Sequence, residues 1–82
     1  MEETRLGIIG IIVEDLEASA AMNAILHEYS DIIVGRLGIP YRDRGVSIIS
    51  LAVDGSHEAI AAMTGKLGQL EHVSVKTVMT SN

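Results

Sequence analysis

Few residues of this 82-residue chain are equipped for chemistry, and most of those stand apart. Its three histidines are at 27, 57 and 72. His27 and Asp31 are one helical turn apart, which would set an imidazole beside a carboxylate. Such a pair holds a metal from one side or forms an exposed hydrogen-bonded or ion pair, and the second is the simpler reading. His57-Glu58 reads as the solvent-facing start of a helix, and His72 as the opening of the last strand. The chain contains no cysteine, so a transition-metal site would need histidines and carboxylates gathered from several chains. No metal ligand and no cofactor are expected. Glu14-Asp15 is the tightest carboxylate pair, and a helix start with Asp15 as N-cap explains it. No serine stands in a Gly-x-Ser-x-Gly elbow. Gly65-Lys66 has the glycine and lysine of a phosphate loop, but Leu67 follows and Ile60 occupies the place of the upstream glycine. No catalytic residue is expected, and the chain does not read as an enzyme.

The densest polar group is Arg36, Tyr41, Arg42, Asp43 and Arg44 around Gly38-Ile39-Pro40. Guanidinium groups grip carboxylate and phosphate, so this loop and the first-strand glycines are where a small anion would bind. A solvated hairpin tip in which Asp43 pairs an arginine explains the same residues.

The elements that must position these groups follow from periodicity. Residues 5–13 (RLGIIGIIV) are apolar at both parities, as in a strand buried on both faces. Gly7 and Gly10 interrupt the run and mark a bulge or a close backbone approach. Residues 16–31 are helical, with Met22, Ile25, Leu26, Tyr29 and Ile33 on one stripe and Asn23, His27, Ser30 and Asp31 opposite. Residues 32–40 are extended, and Pro40 suits an edge strand or a strand end. The segment 41–45 is a hairpin connection. Residues 46–53 (VSIISLAV) form a second strand apolar on both faces, followed by a turn at Asp54-Gly55-Ser56 with Ser56 as N-cap. A helix spans 57–70, with Gly65 and Gly68 implying a close neighbour or an unwound end. A strand over 73–79 alternates Val73, Val75, Thr77, Met79 against Ser74, Lys76, Val78. The order βαββαβ predicts an α+β ferredoxin-like sandwich, a four-stranded antiparallel sheet with two helices on one face, as a single domain over 1–82.

Composition then becomes specific. Residues of the AVILMFWYC set make up 48% of the chain, with eight Ala, eleven Ile, seven Val and seven Leu but two Tyr and no Phe or Trp. Two helices cover one sheet face, whereas strands 5–13 and 46–53 are apolar on both. The second face must meet something apolar, so a homodimer or homotetramer through sheet faces is expected. No apolar run approaches the roughly 20 residues of a membrane span, and the acidic Glu2-Glu3 is wrong for a signal peptide. A cytoplasmic protein without membrane contact is the expectation. The net charge of −5 argues against direct nucleic-acid binding, because phosphate contacts need clustered Lys and Arg.

Several stretches carry a resemblance: Ile12-Val13-Glu14-Asp15, Arg36-Leu37-Gly38-Ile39-Pro40, Ser47-Ile48-Ile49, Gly65-Lys66-Leu67-Gly68-Gln69 and Val75-Lys76-Thr77. Together they resemble the iron-only ([FeFe]) hydrogenase system regulator family over nearly the whole chain. The resemblance implies an ACT-like domain, similar also to the C-terminal ligand domain of nickel-responsive repressors, which pairs through sheets and binds effectors at subunit interfaces. It implies a regulatory, effector-binding oligomer. The nickel domain uses histidines and a cysteine, and this chain has no cysteine. Repressors of that kind carry an N-terminal ribbon-helix-helix reader. Only four residues precede the first strand here, so any action on transcription is expected through a separate DNA-binding partner. The ligand-binding candidates are Gly7, Gly10, Arg36, Arg42, Arg44 and Lys66. The alternative is a protein-interaction or assembly factor of hydrogenase maturation with no small-molecule ligand.

Overall fold

The computed structural model describes residues 3–80, so Glu2 of the acidic start lies outside it. Four strands, β1 (Arg5–Val13), β2 (Ile33–Tyr41), β3 (Val46–Gly55) and β4 (Val73–Met79), alternate with helices α1 (Ser19–Glu28) and α2 (His57–Gly68). The sheet order is β2-β3-β1-β4, with every neighbouring pair antiparallel. This is the ferredoxin-like arrangement that βαββαβ predicts.

Strand parity sorts the residues onto two faces. Ile9, Ile11 and Val13 of β1 and Ile49, Leu51 and Val53 of β3 turn toward the helices. They form one core with Met22 and Leu26 of α1 and Ile60, Met63 and Leu67 of α2, and all are at most 4% exposed. Each buried aliphatic of this kind contributes about 1.5–3 kcal/mol. Among the described residues no polar side chain is buried, so this core is held by packing alone.

The element ends follow local chemistry. Asp15 accepts the Glu17 amide at 2.9 Å, but the turn it caps is a short 3-10 turn, Leu16–Ala18, that precedes α1. Helix α1 stops at Glu28, and Ser30–Ile32 form a second 3-10 turn. The expected helix over 16–31 is thus one regular helix between two tighter turns. Ser56 caps α2 by accepting the Ala59 amide at 3.1 Å. Asp54 and Gly55 complete β3 rather than forming the expected turn. Gly45 closes the β2–β3 connection in the left-handed region, at φ 66°.

The glycine readings divide. A Cβ on Gly7 would stand 3.2 Å from Met79 Cγ, Val53 Cγ2 and the Val78 carbonyl, so Gly7 is a close-packing residue as its place in the strand implied. Gly65 and Gly68 have no neighbour within 4 Å of such a Cβ, so the close contact expected there is absent, and Gly68 simply ends the helix. Gly55 is the tightest, with Ile32 Cγ2 at 2.9 Å. Gly55→Ala must push that side chain or the backbone aside and will cost about 1–3 kcal/mol in chemical denaturation. Within the single chain Gly10→Ala meets open space and will leave the stability of the isolated domain within about 0.5 kcal/mol, measured alongside it.

Candidate functional site: the uncovered sheet face

Among the described residues, none forms a layer over the other face of the sheet. Cross-strand pairing arranges its residues in rows. One row runs Ile39–Ile48–Ile12–Ser74, a ridge of three isoleucines 41–48% exposed. The next is Leu37–Ser50–Gly10–Lys76, with small residues at its centre. The third is Gly35–Ala52–Ile8–Val78, in which Ile8 is 59% exposed. Leu6, Ile8, Val34, Ala52 and Val78 border a shallow apolar hollow of about 410 Å³ at this end of the sheet. Val34 reaches it because a β-bulge between Ile33 and Gly35 slips the register. Among the paired strand residues of this face, Lys76 and Asp54 carry the charges.

Accessible surface tells the same story. The chain exposes 5505 Å², against about 4,700 Å² for a folded monomer of its mass.

The six candidate ligand residues are not brought together. Gly7 faces the helices beside Val53, whereas Arg42 and Arg44 lie beyond Tyr41 in a 3-10 turn at the opposite end of the sheet. Six strand residues separate the two levels, about 20 Å. Gly10 lies on the uncovered face and Arg36 on the helix side of β2. Lys66 is engaged in the helix layer, where Nζ donates to Glu28 Oε2 at 2.8 Å and stands 5.1 Å from the Tyr29 ring centre. The Glu28 hydrogen bond, then that to Tyr29, hold its pKa above the ordinary lysine value. What the pair adds to stability is therefore present below the ordinary lysine pKa and lost as pH rises through the raised one. Both side chains are exposed, so salt screens the pair.

Two expected pairings do not form. Asp31 falls in the 3-10 turn after α1 has ended, so His27 and Asp31 lose the helical spacing that would join them, and among the described residues no bond links them. Asp43 likewise forms no ion pair with an arginine among the described residues. His72 precedes β4 in the left-handed region at φ 63°, and its carbonyl accepts the Glu14 amide at 2.8 Å, tying the loop before β4 to the end of β1. No group of His, Asp and Glu able to hold a metal occurs among the described residues. No helix among them is long and apolar enough to cross a membrane. The sequence reading did not single out Ala52, Val34 or Val78. Strand alternation around Ile8 would have flagged Ala52 and Val78, but the bulge that swings Val34 across is a tertiary feature.

Comparison with known proteins adds a family. Residues 5–77 match the TM1266-like family, described as "Iron-only hydrogenase system regulator, putative". Over 67 residues the chain is 33% identical to a Saccharolobus solfataricus protein named "Putative nickel-responsive regulator", covering 82% of this chain and 50% of that one. The chain thus spans about half the length of the curated relatives it matches. The structure of uncharacterized protein TM1266 from Thermotoga maritima has a TM-score of 0.92 at 38% identity, covering 96% of this chain and 100% of that one. A nitrogen regulatory PII-like protein from Thiomonas intermedia K12, bound to ADP, AMP and bicarbonate, shares the fold. Its TM-score is 0.54 at 17% identity, over 96% of this chain and 99% of that one. With the match running from the first strand to the last, the chain belongs to the iron-only hydrogenase system regulator family.

Proposed function

We propose that this chain is a non-enzymatic regulatory module that works as a homo-oligomer joined through its uncovered sheet faces, with a small effector or a partner protein bound at the joint. The observation that carries the reading is the apolar face itself. Its isoleucine ridge lies one row from a row of small residues, Ser50 and Gly10, so a two-fold axis lets the ridge of one copy enter the furrow of the other. Gly10, with nothing above it, supplies the closest approach. The family and the regulator names of the relatives support the regulatory part.

Action on transcription passes through a separate DNA-binding partner. With eleven acidic and six basic residues the domain repels phosphate overall. The module works inside the cell, where a hydrogenase system is regulated.

Light scattering at micromolar concentration tests the central claim. The expected mass is at least twice the 8.7 kDa of one chain, and a monodisperse monomer overturns it. Thermal denaturation against a panel of metabolites and divalent metals tests the effector. A ligand at a hundredfold over its Kd adds about 2.7 kcal/mol, read as a rise in Tm, and no response to any member argues for a protein partner instead.

A further inference from the structure

On the helix side of the sheet, β2 projects beyond the cover of the two helices. Beyond Ile33, which packs against the core, its residues on that side are Arg36, Gly38 and Pro40, and no large apolar side chain among these three draws α1 down. A trench therefore separates α1 from β2. Two adjoining hollows of about 250 and 470 Å³ lie along it, and Asn23 and Arg36 line both. The α1 wall carries Ser19, Asn23 and His27 at spacings of four, which keep them on one side of the helix, and Ser30 continues the row. Met22, Leu26, Ile33 and Ile49 form an apolar floor.

Charge makes the trench unusual for this molecule. The chain carries a net charge of −5, yet among the described residues no carboxylate lines either hollow. The Arg36 guanidinium donates from Nη2 to Asn23 Oδ1 at 3.4 Å, a long bond to a neutral acceptor. Among the described residues the ion pair is Lys66–Glu28, so no carboxylate neutralises Arg36. A guanidinium has five N–H donors in a planar fork, and this contact uses one. The remaining donors have a polar wall opposite and an apolar floor beneath, as in sites that fix a charged end by hydrogen bonds and lay a carbon skeleton on aliphatic side chains.

We infer that the trench between α1 and β2 binds a small organic anion, its carboxylate or phosphate group held by Arg36 with Asn23 and His27 across from it. The site lies on the opposite side of the sheet from the proposed assembly face. It is complete within one chain, so it stands whether or not the chains associate.

The test is an amide-resolved NMR titration of the full chain with succinate and, separately, inorganic phosphate, at ionic strength held constant with sodium chloride. Saturable shifts centred on the Asn23 side-chain amide, the Arg36 Nε–H and the Gly35 and Gly38 amides are expected with at least one of the two. The two arms tell a carboxylate site from a phosphate site. Arg36→Gln, at an exposed position, will raise the apparent Kd at least about tenfold with an otherwise unchanged spectrum. Arg42→Gln will bind as the parent does. Shifts that fail to saturate with either anion, that survive Arg36→Gln, or that centre on Arg42, Arg44 or Lys76 overturn the site. Light scattering on the same samples separates this result from the assembly. A monomer that binds leaves the trench standing alone, and an oligomer that does not bind refutes the trench alone.

Discussion

Ile8→Glu will convert the proposed sheet-to-sheet assembly to monomers while leaving the domain folded. Ile8, on the uncovered face of β1, has 59% of its surface exposed in the single chain, so a carboxylate there stays hydrated when the domain is alone. In a sheet-to-sheet pair the same position is dry. Each copy then loses about 1.5–3 kcal/mol of aliphatic burial, and a two-fold interface counts that loss twice. The buried carboxylates add several kcal/mol more, since among the described paired residues of the face Lys76, in the neighbouring row, supplies the positive charge. At about 1.4 kcal/mol per tenfold, the dissociation constant will rise more than about a thousandfold. Light scattering reads the change, and circular dichroism checks that the fold survives. Ala61→Glu, on the exposed side of α2, is the control and will leave the mass unaltered. An Ile8→Glu protein of parental mass would place the interface elsewhere.

Leu51→Ala will produce the largest loss of folding stability of any single truncation on β3. Leu51 is fully buried at the middle of the strand, paired with Ile9 on one side and Arg36 on the other. Removing its isobutyl group costs the transfer energy of the lost atoms and leaves a cavity between sheet and helices, together about 3–5 kcal/mol. A domain of this size is stabilised by roughly 5–15 kcal/mol, so the loss is a large share. At about 4–8 °C per kcal/mol, Tm will fall by some tens of degrees. The comparison must be made at one protein concentration, because the proposed assembly would add to apparent stability. Leu51→Met, which conserves volume, will cost under about 1.5 kcal/mol. A loss below about 1 kcal/mol for Leu51→Ala would mean that the helices do not rest on the centre of the sheet.

Much of the fold was readable because its signals are local. Alternation in 73–79 is set by the pleat of a single strand, and the structure puts Val73, Val75 and Met79 against the core as written. Ser56 and Asp15 cap where their side chains can reach an amide two or three residues on. The expectations that failed depended on distance between segments. The α2 glycines allow a close neighbour or an unwound end; only the placement of the helices shows that no neighbour is there, and Gly68 ends α2. His27 and Asp31 have helical spacing in sequence, and the helix ends between them. Gly55 resembles a turn residue, yet it pairs with Arg5 as the last residue of β3, and Ile32 passes too close for a side chain there.

The candidate site divides on the same line. Arg36 stood out from its type and its neighbours, and so did Arg42 and Arg44. Periodicity puts Asn23, His27, Ser30 and Asp31 on one polar side of a helix; Asn23 and His27 lie exposed on α1, whereas Ser30 and Asp31 fall in the 3-10 turn after it. That Asn23, His27 and Ser30 face β2 follows from where the helix lies on the sheet.

What the amino-acid sequence determined by itself was the order of elements, the parity of each strand and a surplus of aliphatic residues with no second layer to cover them. Those properties follow from the period of the backbone and the hydrophobic effect, which act on each segment in turn. The tertiary structure decided where the surplus lies and where the cations go. Register puts the isoleucine ridge beside the row of small residues, and the position of β2 at the sheet edge opens a trench under Arg36. Both depend on which strands become neighbours, and that is settled by long-range packing of the whole chain.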